Sequence, residues 1–141
     1  MTGDETSHVR VSYKSGGAEI TRIYAISQDL LTAPRPSAGK DLQRWLADKG
    51  CALDCSDGPA LRIRSLDGSI VIEECYRNGK LHREDGPAIV RHDADGSYAE
   101  YHRDGKLHRE DGPAVISRSA DGVRQEDYFR NGVPARPSET P

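Results

Sequence analysis

Large apolar side chains are scarce in this chain. Its 141 residues include one Phe, one Trp and one Met, and hydrophobic residues of all kinds make up 35%. Such a chain buries a thin core, built here from Ile, Val, Leu, Ala and six Tyr. No apolar run approaches the roughly 20 residues of a membrane-spanning helix, so no membrane partner is expected. The opening residues, Met1 to Val11, lack a basic stretch followed by an apolar one, which predicts no secretory signal and a cytoplasmic location. Three Cys, an odd number, supply no disulfide framework. A cationic excess is also lacking: Lys+Arg number 20 against Asp+Glu 23, for a net charge of -3. Nucleic acid is therefore not the expected partner, because phosphate binding needs an excess of cations. No dinucleotide fingerprint, P-loop, nucleophile elbow or zinc-protease motif is present, and no cofactor is expected.

What the chain does have is a repeat. Asp-Gly-Pro-Ala starts at Asp57, Asp85 and Asp111, spacings of 28 and 26 residues. Lys80–Ala88 and Lys106–Ala114 are identical. A second turn signal follows each copy, at Asp67-Gly68, Asp95-Gly96 and Asp121-Gly122, and a third at Asn78-Gly79, Asp104-Gly105 and Asn131-Gly132. Each unit reads as two strands around an Asp-Gly hairpin. The outgoing strands are Ala60–Arg64, Ala88–His92 and Ala114–Arg118, and the return strands Ser69–Tyr76, Ser97–His102 and Val123–Phe129. The fold class is mainly β (α+β), an antiparallel meander of hairpin repeats.

Alignment on the third turn exposes ladders of like residues. Glu74, Glu100 and Asp127 form an acidic ladder, Cys75, Tyr101 and Tyr128 the next, and Arg77, Arg103 and Arg130 a basic one. Alternation puts the acids on the same face as Tyr76, His102 and Phe129, with Cys75, Tyr101 and Tyr128 opposite. The pattern alone leaves open which face is buried.

Tyr76-Arg77-Asn78-Gly79-Lys80-Leu81-His82, followed by Asp95-Gly96-Ser97-Tyr98, resembles the MORN repeat family. A second copy runs from Tyr101 to His108, then Asp121-Gly122. The likeness covers about half of the chain. After the His, Arg-Glu-Asp-Gly-Pro-Ala stands where the family has a shorter Gly-x-Gly, so this is a MORN variant, of a type the resemblance associates with bacterial and phage proteins. The resemblance implies scaffolding or partner binding in place of catalysis, and a bacterial host cytoplasm for a phage-encoded chain. The departure and the negative charge speak against the family's lipid binding.

The first 56 residues read as a different, capping module. His8–Tyr13 and Ala18–Ala25 form a hairpin, Gln28–Thr32 one helical turn, and about 38–49 a helix with Ser37 as N-cap and Gly50 after its end. Leu42, Trp45 and Leu46 give that helix an apolar stripe, expected to lie on the sheet and close one end of the repeat core. The repeats occupy 57–134, and 135–141 is a disordered tail. The acidic excess lies in the repeats, with fifteen acidic against twelve basic residues over 57–133.

Three sets of residues carry candidate chemistry. Cys51, Cys55 and Cys75 do not complete a zinc pattern on their own, and whether they bind metal is left open. His82-Arg83-Glu84-Asp85 and His108-Arg109-Glu110-Asp111 resemble catalytic material, but a duplicated word favours a structural role, because an active site is asymmetric. In that role Asp bonds its own turn while Arg and Glu pair across units. Arg77, Arg103 and Arg130 with Tyr101 and Tyr128 form an anchor set, since Arg and Tyr carry interface energy.

The resulting expectation is a non-enzymatic protein–protein binding module, with Glu74, Glu100, Asp127, Arg77, Arg103, Arg130, Tyr101 and Tyr128 as contacts and no catalytic or metal residues. Its acidic excess suits a basic or nucleic-acid-binding surface of a host complex. By analogy it is an inhibitor of a bacterial defence complex, of the anti-CRISPR kind. A homodimer is a further expected partner. The alternatives are a self-assembling or virion-associated scaffold, and a small hydrolase-type enzyme using His82 and His108.

Overall fold

The computed structural model describes residues 7–55 and 58–136. It is mostly strand, with 46% of residues in strands and 11% in helices. Eight strands form one antiparallel meander whose spatial order follows the chain. These are β1 (Ser7–Ser15), β2 (Ala18–Ile26), β3 (Leu61–Ser65), β4 (Val71–Glu74), β7 (Ile89–Asp93), β8 (Gly96–Glu100), β11 (Val115–Ser119) and β12 (Arg124–Asp127). Three two-stranded ladders intervene: β5 (Tyr76–Arg77) with β6 (Lys80–Leu81), β9 (His102–Arg103) with β10 (Lys106–Leu107), and β13 (Phe129–Arg130) with β14 (Val133–Pro134).

The return strands stop earlier than the hydrophobic pattern predicts. Each breaks at Cys75, Tyr101 or Tyr128, because the backbone changes partners there. The N–H groups of Cys75 and Tyr101 donate to Ala88 and Ala114 at 2.7 Å, on the next long strand's approach. Their carbonyls accept from His82 at 3.1 Å and His108 at 3.0 Å, in the same chain's small ladder, as Tyr128 accepts from Ala135 at 2.8 Å. Each unit thus turns a corner, and Ala60, Ala88 and Ala114 are buried inside it. The small ladders close on turns with two consecutive positive φ angles, Asn78 at +54° with Gly79 at +78° and its two counterparts, which is type I′ geometry.

The main buried cluster lies at the N-terminal end. Helix α1 is Gln28–Leu31 and helix α2 is Gly39–Asp48. Leu42 and Leu46 pack on Val11, Tyr24 and Ile26, and Trp45 joins from the margin as a partly buried residue. The apolar stripe therefore covers β1 and β2 and not the repeat strands. The N-cap is Ala38, one residue after the expected Ser37, and no side chain caps the helix. Among the described residues no helix is long and apolar enough to cross a membrane. The disordered tail expected over 135–141 falls, from residue 137 onward, outside the described residues, as do residues 1–6 and Ser56 and Asp57.

Candidate functional site

Register fixes which ladders share a face. Leu61, Glu74, Ile89, Glu100, Val115 and Asp127 lie in one row across six strands, so an aliphatic residue separates each acid from the next. Two of these acids are engaged internally. Glu74 accepts the Tyr76 hydroxyl at 2.6 Å, and Glu100 accepts the Tyr98 hydroxyl and bonds His102 Nε2 at 2.7 Å. Burial first, then the bond to Glu100, pushes the Tyr98 hydroxyl up to about 12. Asp127 is exposed. The acidic ladder therefore forms a row, as expected, but half of its bonding capacity is spent inside the sheet.

The basic and aromatic ladders come together elsewhere. Three equivalent clefts of about 460, 450 and 390 Å³ follow one another at the corners of successive units. The first is bordered by Cys75, Arg77 and Arg83, the second by Tyr101, Arg103 and Arg109, and the third by Tyr128, Arg130 and Arg136. Arg83, Arg109 and Arg136 each come from the unit that follows. Five of the eight expected contact residues thus line this row, and Glu74, Glu100 and Asp127 do not.

Ion pairs hold the arginines in place. Arg77 Nη1 donates to Glu84 at 2.9 Å, and Arg103 lies 3.8 Å from Glu110. Arg83 and Arg109 donate through Nε to Asp85 and Asp111 at 3.2 and 3.3 Å. Asp85 and Asp111 thus fix an arginine, where the sequence suggested a bond to their own turn. Glu84 and Glu110 meet Arg77 and Arg103 of the unit before, and not the Arg83 and Arg109 of the repeated word that the sequence suggested, which bond within their own unit. Outside these contacts the acids face solvent, Asp85 and Asp111 at 88% and 89% side-chain exposure. Each cleft therefore joins guanidinium groups and a Tyr, or Cys75 in the first, to exposed carboxylates that form an acidic rim.

The repeat histidines sit beneath this surface. His82 and His108 are 5% and 8% exposed. Each Nδ1 accepts a backbone N–H from the small ladder's turn, Asp104 to His82 at 2.9 Å and Asn131 to His108 at 3.0 Å. That bond leaves the proton on Nε2, which faces Glu84 and Glu110 at 3.4 Å. The rings hold turns in position.

The same bonds reveal a unit boundary that the sequence reading missed. Leu53 accepts from Gly79 as Leu81 does from Gly105 and Leu107 from Gly132. Asp54 Oδ1 accepts the Asn78 N–H at 3.1 Å, in the role of the two histidines. Cys55 donates to Tyr76 as Arg83 does to His102 and Arg109 to Phe129. The repeating hydrogen bonds thus begin at Leu53. The available signal was Leu53 itself, as far ahead of Asp57 as Leu81 is of Asp85. Among the described residues no three His, Cys, Asp or Glu side chains converge as a metal ion requires.

Comparison with protein-family models, characterised proteins and solved structures finds no match for this chain.

Proposed function

We propose that this chain is a non-enzymatic binding module of MORN-variant type, and that it seats a partner protein along the three clefts. The observation that carries the reading is the recurrence of one surface three times: an aromatic residue or Cys75, an arginine from each of two units, and an exposed carboxylate rim. Repetition of one surface suits recognition of an extended partner, whereas catalysis needs distinct residues in distinct roles at one place. The buried His82 and His108, with their Nδ1 atoms already taken, support the same choice.

The rim specifies the partner's chemistry. Glu84, Asp85, Glu110 and Asp111 are all largely exposed. A partner carrying Lys and Arg gains steering and register from such a rim. Surfaces that hold nucleic acid are of this kind, and an acidic protein seated on one competes with the nucleic acid. The specific form of the proposal is inhibition of a bacterial defence complex by that competition. The contact set is then Arg77, Arg103, Arg130, Tyr101 and Tyr128 with the rim acids, in place of Glu74 and Glu100.

Affinity capture from nuclease-treated bacterial lysate tests this, using the native chain and an Asp85→Lys/Asp111→Lys variant. One stoichiometric complex held by the native chain and lost by the variant supports the reading. Equal capture by both baits removes the rim from the contact, and recovery of the bait alone, at a multiple of 15.5 kDa, favours self-assembly.

A further inference from the structure

The first cleft departs from its two copies at paired positions. Cys55 stands where the other units have Arg83 and Arg109, and Cys75 where they have Tyr101 and Tyr128. Both border the same cleft. Backbone geometry brings them together. The Cys55 N–H donates to the Tyr76 carbonyl at 2.9 Å, and Cys55 Sγ accepts the Tyr76 N–H at 3.3 Å. That amide is joined directly to Cys75, so the two cysteines stand on adjoining backbone and face one cleft. Cys51, the third cysteine, instead packs against the α2 cluster.

We propose that Cys55 and Cys75 form a peroxide-reactive dithiol that closes reversibly into a disulfide across the first cleft.

The two sulfurs have unequal roles. Cys75 is 6% exposed, whereas Cys55 is only partly buried. The Cys75 thiol donates to Cys55 and so favours a thiolate there, lowering its pKa to about 6, with the Tyr76 amide assisting. The same bond, with burial, pushes the Cys75 thiol up. Cys55 is therefore the attacking sulfur and Cys75 the resolving one.

The Cys55 thiolate attacks one oxygen of hydrogen peroxide, the O–O bond breaks, and the other oxygen leaves as water after taking a proton. Cys55 now carries S–OH. The Cys75 sulfur, releasing its proton, attacks the Cys55 sulfur. The S–O bond breaks, a second water leaves, and S–S forms. Two thiols have given up two electrons, and the peroxide has been reduced to water. A reducing thiol reverses the closure by exchange.

The test needs no partner, so its failure leaves the binding reading untouched. The native full-length chain is titrated with hydrogen peroxide, its remaining thiols are blocked with N-ethylmaleimide, and intact mass and peptide maps are read. The expected result is one blocked thiol, at Cys51, with a peptide linking Cys55 to Cys75. Closure in the folded chain is expected to be at least about tenfold faster than in the urea-unfolded chain, because folding supplies the proximity. In Cys75→Ser the reaction stops at S–OH on Cys55, trapped by dimedone, while Cys55→Ser traps nothing at Cys75. Alkylation of Cys55 by iodoacetamide reaches half its maximal rate near pH 6, against about 8.5 for a free cysteine. A link through Cys51, equal closure rates in the folded and unfolded chains, or three blocked thiols after peroxide overturns the proposal.

Discussion

The guanidinium of Arg109 lies 4.0 Å from the centre of the Tyr101 ring, and the two residues belong to consecutive units. Arg109 also donates to Asp111 at 3.3 Å and to the Pro113 carbonyl at 3.1 Å. One side chain therefore pins a loop of its own unit and stacks on the corner of the unit before. In an array held mainly by backbone ladders, this is a side-chain link between neighbours.

Truncating that link should loosen the array. Arg109→Ala is expected to cost about 1–2 kcal/mol, the combined worth of a partly desolvated cation–π contact and a charged hydrogen bond. Arg109→Lys should recover less than half of this, since an ammonium cannot stack flat while reaching a carbonyl. Urea unfolding followed by circular dichroism reads both as shifts in midpoint at unchanged slope. Equal midpoints for Arg109→Lys and the native chain would show that charge alone matters there.

Asp54 does in the first unit what His82 and His108 do in the others, accepting a turn amide. The site therefore wants an acceptor and not an imidazole. His82→Leu, which leaves the Asp104 N–H without its partner, should cost about 1–3 kcal/mol. His82→Asn should cost about half as much or less, because its side-chain oxygen is an acceptor of similar reach. Thermal unfolding of the two variants side by side distinguishes them, and identical losses would point to ring packing.

The β3–β4 hairpin carries an acid-sensitive turn. The Asp67 carboxylate accepts the Ser69 N–H at 3.0 Å and the Ser65 and Ser69 hydroxyls, both at 2.7 Å. These bonds, the Ser69 amide first, lower its pKa from 3.8 to about 2. Asp121 repeats the arrangement with Ser119 and Val123, and its pKa is lowered too. A lowered carboxyl stabilises the fold above its unfolded value, and that contribution disappears as pH falls through the folded one. Stability should therefore drop between pH 4 and about 2, and the drop should be smaller in Asp67→Asn/Asp121→Asn. Urea midpoints measured across that range provide the check, and an unchanged acid limb would assign the drop to other carboxylates.

Gly96 begins β8 where the backbones of neighbouring strands nearly touch. A Cβ at this position would meet the Arg118 carbonyl oxygen at 1.9 Å, and its φ is +136°. Gly96→Ala must push β8 away from β11, at a cost of about 2 kcal/mol or more. Gly68→Ala, with a positive φ but open space around it, should cost only about 1–2 kcal/mol, the left-handed backbone penalty. Hydrogen exchange should show lost protection in β8 and β11 for Gly96→Ala alone.

Turn chemistry made most of the fold legible. Asp-Gly and Asn-Gly pairs impose hairpins through backbone geometry, so their spacing places strands without any knowledge of packing. The corners at Cys75, Tyr101 and Tyr128 were not legible, because the return strand keeps its alternation while its hydrogen-bond partner changes. The Arg and Tyr ladders were visible one by one. Their meeting in a cleft depends on Arg83, Arg109 and Arg136 arriving from the next unit, which no alignment within a unit displays. The engagement of Glu74 and Glu100 has a local cause: alternation puts Tyr76 and His102 on their face, and those side chains bond the two carboxylates.

Two strands separate each cleft from the next, a step of about 10 Å set by the strand spacing. The surface is thus a ruler with a fixed pitch, whose graduations are corners of the chain. Each unit bonds mainly to its neighbours, so a further copy spliced between Gly105 and Lys106 would add one graduation and leave the others unmoved. The reach of this protein is written in whole numbers: it lengthens by units, never by residues.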